Sequence, residues 1–220
     1  MPVPADFLPD VLPFVQGCPT ALAERAILHS VREFCEFSGI WWEDQLIDTV
    51  TDEVTTGVYQ LAAATAGAEI LSVKDPIYHQ DQTALLKTPE WLQENYASDW
   101  RTKTSTRAKY YTMPTKTRLQ LVPYPTVAGV ADLRVTLLLR PALVSPYIGQ
   151  LVLDEYSESI SWGARARLKN DPSQDWFDKG STVELIARFE QAKDRAKSLA
   201  KAMGQDRRHQ DKRTTRGYHF

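Results

Sequence analysis

His29 and Glu33 stand four residues apart, the spacing that sets an imidazole and a carboxylate on one face of a helix. Such a pair can pass a proton or begin a metal site. A metal needs three or four ligands, though, and no further donors recur nearby at a ligand spacing. The pair is therefore expected to be a surface ion pair. His79-Gln80-Asp81 is a second His/Asp group, in a loop-like stretch without further ligands. Glu43, Asp44, Asp48, Asp52 and Glu53 cluster, but they lack the spacing and central glycine of a calcium loop. They read as the solvated face of a strand and turn. The two cysteines, Cys18 and Cys35, form no CxxC and give no disulfide framework, which suits a reducing compartment. Cys35 falls on the apolar face of a helix, where a buried free thiol is expected. No GxGxxG, GxxxxGK, GxSxG or HExxH occurs. No catalytic residue, cofactor or metal is expected, and the chain reads as a non-enzyme. Only carboxylates distant in sequence that meet in space would make it a hydrolase.

The remaining chemistry is recognition. From Gln205 the chain reads QDRRHQDKRTTRGYHF, in which Arg207, Arg208, Lys212, Arg213 and Arg216 outnumber Asp206 and Asp211 by three. The whole chain carries −2, so the body before this segment carries −5. Tyr218 and Phe220 add two aromatic anchors near its end. The segment has no apolar periodicity and is expected to be an extended C-terminal tail, disordered until it meets a partner. Its cations suit carboxylates on an acidic protein surface, and they equally suit phosphates, with the rings stacking on bases. A merely solubilising tail is the third possibility.

Elements must position these groups. At 220 residues, with 43% hydrophobic and 25% charged, the chain has the composition of a globular protein of one domain or of a helical body with an inserted subdomain. Residues 1–14 lack a basic start and are broken by Pro2, Pro4, Pro9 and Pro13, so no signal peptide is expected. No apolar run approaches a membrane span, and no membrane association is expected.

Ala23, Ala26, Ile27, Ser30, Val31, Phe34 and Cys35 recur at helical spacing, with Thr20 as a candidate cap and Gly39 as terminator. Trp41 and Trp42 follow as anchors for that helix end. From Gln45 to Arg140 the period becomes two, in short runs such as Val58–Leu61, Arg118–Val122 and Leu133–Leu139 broken by glycine and proline. Thr88-Pro89 opens one short helix to about Ala97, and 98–108 reads as an exposed polar loop. The helical period returns over Ile148, Leu151, Val152, Tyr156, Ile160, Gly163 and Ala164. A last helix follows, with Ser181–Glu184 as a capping box and Phe189 on its stripe, stopping at Gly204. The fold class predicted is α+β: a bundle of long helices from both chain ends (1–42 and 143–204), an inserted antiparallel β-sandwich or barrel domain (43–142), and the extended tail (205–220).

The segment Ala21–Trp42, with Glu33-Phe34-Cys35 and Trp41 inside it, resembles the first helix of bacteriophage head-to-tail adaptor (connector) proteins of the tail tubular protein A type. The Val58–Leu61 strand start, Leu121–Pro125, Ile160–Ala166 followed by Asp175-Trp176, and Phe189 ahead of an Ala/Lys/Arg helix are also similar to that family of short-tailed phages. The resemblance spans nearly the whole chain, in motifs that are each short. It implies a structural virion protein: a dodecameric ring in the neck, assembled in the host cytoplasm, between portal protein and tail nozzle protein. DNA would pass through its lumen without specific binding, and the C-terminal segment would dock on the portal. The docking residues would be Arg207, Arg208, Lys212, Arg213, Arg216, Tyr218 and Phe220. Tyr156, Ile160, Gly163, Ala164 and Phe189, on the second and third stripes, would lie between subunits. The alternative is a nucleic-acid-binding accessory protein using the basic tail.

Overall fold

The computed structural model describes residues 2–49, 57–126 and 129–214, with Val130, Ala131 and 204–214 as backbone only. The chain is α+β and divides into two compact units. One comprises the residues up to 41, 65–68 and those from 140 onward; the other comprises 42–64 and 69–139.

The first unit is helical. Short 3-10 turns cover Pro4–Asp10 and Leu12–Phe14, proline spacing having excluded a longer helix there. Helix α1 runs Thr20–Ser38, and its buried residues include every member of the predicted stripe, Ala23 through Cys35. It ends at Gly39, whose φ of 62° is left-handed, with the Gly39 N–H donating to the Cys35 carbonyl at 2.9 Å. The expected Thr20 cap is not made: Pro19 takes the cap position, its φ already fixed, and Thr20 is the first helical residue.

Helix α3 spans Gln150–Lys169 and starts at Gly149 beneath the Trp41 indole, where a Cβ would lie 3.0 Å from the ring. Trp41, 8% exposed, is thus an anchor in the core. Helix α4 spans Lys179–Thr214. Its start is fixed by Asp178, whose Oδ1 accepts the Ser181 N–H at 3.1 Å, and not by a Ser181–Glu184 capping box. The two hydrogen bonds from Ser181 hold the Asp178 carboxyl down at about 2.

The second unit carries β1 (Trp42–Thr49), β2 (Val58–Gln60), β3 (Ala68–His79), β4 (Gln82–Leu86), β5 (Thr104–Ser105), β6 (Tyr110–Thr115), β7 (Arg118–Val122), β8 (Tyr124–Pro125) and β9 (Gly129–Pro141). Between β4 and β5 lies α2 (Pro89–Asn95), capped by Thr88, whose Oγ1 accepts the Trp91 N–H at 3.2 Å. Among the described residues one seven-stranded sheet runs β1-β9-β3-β4-β6-β7-β2 and curls into half a barrel.

The sheet is mixed, which corrects the antiparallel expectation. Leu85 pairs with Tyr110 and Leu86 with Tyr111 in parallel, and β5 pairs with β8 in parallel too. Parallel neighbours need a crossover of about a dozen residues or more, and 87–109 with α2 supplies it. That stretch is also no plain loop: Trp100 is 2% exposed and packs with Leu92 and Val122.

Candidate interaction surface

The residues singled out for chemistry are brought to structural positions. Glu33 does not pair with His29; it reaches across the helices to Arg167 and Lys193. Cys35 is fully buried, and burial pushes its thiol up to about 12, too high to yield a thiolate near neutrality. Glu43 accepts the Ala64 N–H at 2.8 Å and Asp44 the Thr136 hydroxyl at 2.7 Å, while Asp52 and Glu53 lie outside the described residues. Among the described residues no group of three or more His, Cys, Asp or Glu is placed to hold a metal ion. No described helix is long and apolar enough to cross a membrane.

His79 is the fully buried end of β3, not part of a loop. Gln80 and Asp81 form a two-residue hairpin turn with φ of 50° and 59°, which lets β4 return along β3. The His79 Nδ1 accepts the Ala108 N–H at 3.1 Å, so the neutral ring carries its proton on Nε2. That nitrogen stands 3.4 Å from Asp132 Oδ2, off the line of a full hydrogen bond. Asp132 also accepts the Thr49 hydroxyl, at 2.8 and 2.7 Å. Among the described residues no nucleophile is aimed at this group, and it pins three strands.

Burial lowers the His79 pKa below 6.5 despite the pull of Asp132. The unfolded chain takes up a proton near 6.5 that the folded chain refuses. The contribution is present above 6.5 and lost as pH falls below it, at up to about 1.4 kcal/mol per pH unit. Urea unfolding of wild type and His79→Gln is expected to show this slope in the wild type alone.

Of the residues predicted to lie between subunits, Ile160, Gly163, Ala164 and Phe189 are buried within one chain. Ile160 and Ala164 are fully buried, Gly163 is buried, and Phe189 is 4% exposed. Tyr156, half-buried, lies with its ring 5.0 Å from that of Phe34, and the Phe189 ring lies 6.1 Å from the same Phe34 ring. Gly163 makes room for Phe189, since a Cβ there would meet the ring at 2.9 Å. The small residues admit a helix, as expected, but α4 of the same chain is the helix admitted. Periodicity names a buried face without naming its occupant.

Beside this core lies a charged layer that the sequence did not flag. Lys193, in an Ala/Lys/Arg run resembling a solvated face, has a side chain 5% exposed. Its Nζ donates to Glu33 at 2.6 Å and to Glu190 at 2.7 Å, and stands 5.0 Å from the Phe37 ring centre. Burial opposes its charge, but the bonds it donates to Glu190 and Glu33 outweigh this and raise its pKa. Glu33, Glu190, Ile186 and Phe189 line a cleft of about 210 Å³ there.

Part of the apolar face of α4 stays exposed. On α4, Val183, Ile186, Leu199 and Met203 are 65%, 47%, 47% and 40% exposed. The last buried residue described on α4 is Ala200. The helical backbone nevertheless continues past Gly204 through Thr214. Over 205–214 this overturns the extended tail: Gln, Arg and Lys are good helix formers, and one glycine costs only about 1 kcal/mol. Arg207, Arg208, Lys212 and Arg213 are therefore on helix, whereas Arg216, Tyr218 and Phe220 lie outside the described residues. No protein-family model matches the chain, and no curated protein does either.

Proposed function

We propose that the protein is a structural virion component, a head-to-tail adaptor that forms a ring between portal and tail nozzle and performs no catalysis. The observation that carries the proposal is the length of α4, 36 residues or roughly 54 Å, whose last described buried residue is Ala200. A helix whose described burial stops at Ala200 and which carries Arg207, Arg208, Lys212 and Arg213 beyond it would serve as an arm for something outside the subunit. Portal carboxylates suit those cations through charge-assisted hydrogen bonds. The remaining body, at −5, would repel phosphates of DNA passing through a lumen and keep the duplex from sticking. A bundle of helices from both chain ends would form the wall.

Electron micrographs of the protein mixed with its portal are expected to show rings seated on the portal. Free portal and free monomer under all conditions would refute the proposal. The same basic helix end supports a second reading, a nucleic-acid-binding accessory protein. Binding to duplex DNA that falls steeply as salt rises would favour that reading; the adaptor is expected to show no such binding at physiological salt.

A further inference from the structure

Arg165 is a cation that makes no ion pair among the described residues. It lies half-buried on α3 with its Cζ 3.6 Å from the centre of the Phe14 ring. Its Nε is sealed from water and bonded to nothing. Among the described residues no carboxylate comes within ion-pair distance of it. Burial lowers its pKa, and the nearby charge of Arg188 on α4 lowers it further, with Glu158 pulling the other way. Arg188 stands over the Trp162 ring at 5.8 Å and is held by Glu184. Two adjacent guanidiniums on aromatic rings, one with an unmet donor, cost free energy in the lone subunit. They form a cradle that a carboxylate would complete with paired N–H donors. Phe14, 51% exposed under Arg165, and Trp162 under Arg188 give the composition of an interface hot spot.

The complementary charge lies on the same helix. Asp154 and Glu155 are exposed near the start of α3, with no cation within ion-pair distance among the described residues. At about 1.5 Å per residue they stand roughly 15 Å from Arg165, too far to neutralise it within one chain. Acid and base ends on one helix satisfy each other only between molecules.

We propose that this face of α3 joins copies of the chain, with Asp154 and Glu155 of one copy seated against Arg165 and Arg188 of the next. The inference rests on the ring reading and supplies its contact. Repeating acid end on base end is a heterologous contact, the kind that closes into a ring. The contact weakens as salt screens it.

Sedimentation velocity of the full chain over a concentration series at low salt tests this. Wild type is expected to associate, and to do so less as salt rises. R165E/R188E and D154K/E155K are each expected to sediment as monomers with unchanged helical circular dichroism. An equimolar mixture of the two is expected to regain association, because doubly acidic and doubly basic copies alternate. Should the first variant unfold, R165Q/R188Q replaces it, with association weakened roughly tenfold. A monomeric wild type, reversal variants that associate like wild type, or a mixture that does not recover overturns the inference. If rings still form on the portal in that event, the adaptor reading stands and only this contact is lost.

Discussion

Phe189→Ala is expected to destabilise the helical unit by about 3–5 kcal/mol, the largest loss of any single substitution considered. The ring is 4% exposed, lies against Phe34, and fills the space that Gly163 leaves open. Its removal opens a cavity between α1, α3 and α4, where rigid neighbours cannot collapse fully. Gly163→Ala tests the same contact from the other side. Alanine in mid-helix gains about 1 kcal/mol in propensity, but the added Cβ would stand 2.9 Å from the Phe189 ring. The overpacking costs about 1–3 kcal/mol, so the single substitution is expected to be neutral to destabilising. With Phe189 already alanine, the clash is gone and Gly163→Ala is expected to stabilise by up to about 1 kcal/mol. Denaturant titration of the four members of this cycle reads the coupling directly. Additive effects would show that the ring does not sit on the glycine.

A chain ending at Gly204 is expected to fold and melt like the full protein while losing its grip on the portal. The deletion removes no residue described as buried, the last such residue on α4 being Ala200. It removes Arg207, Arg208, Lys212, Arg213 and Arg216, hence five cations, together with Tyr218 and Phe220. Co-sedimentation with portal is expected to fall from full occupancy to background. Charge reversal of Arg208 and Lys212, one helical turn apart, is expected to weaken attachment without a change in melting. Normal attachment of the truncated chain would place the docking surface elsewhere, and a lowered melting point would make the segment part of the fold.

What could be read from the residues alone followed from which forces are local. Helix α1 was legible to its last residue because its apolar spacing and the left-handed Gly39 are both written in sequence. The short α2 was legible at its start through Thr88 and Pro89. Strand β4 was not, because the turn before it uses Gln80 and Asp81 at positive φ, where Asn-Gly is the usual signal. Without β4 there was no crossover to infer and so no parallel pair. The end of α4 was misjudged at Gly204, where the propensity of the following residues prevailed over a single glycine.

Side-chain destinations were harder still. Ile160, Gly163, Ala164 and Phe189 were recognisable as contact residues, yet nothing in their spacing distinguishes a neighbouring subunit from a neighbouring helix. The burial of Lys193 depends on Glu33, 160 positions earlier, and no local pattern encodes it.

The crossover has a mechanical corollary. Among the described residues Leu85–Tyr110 and Leu86–Tyr111 alone register β4 against β6, so the half-barrel has a seam two residues long there. The Lys87 amide, bonded to the Tyr111 carbonyl at 2.9 Å, guards its end. Local opening starts where the fewest bonds must break, so amide hydrogens along this line are expected to exchange ahead of those in β9. The sheet would then behave as two leaves on a common spine, parting there under load while each leaf stays intact.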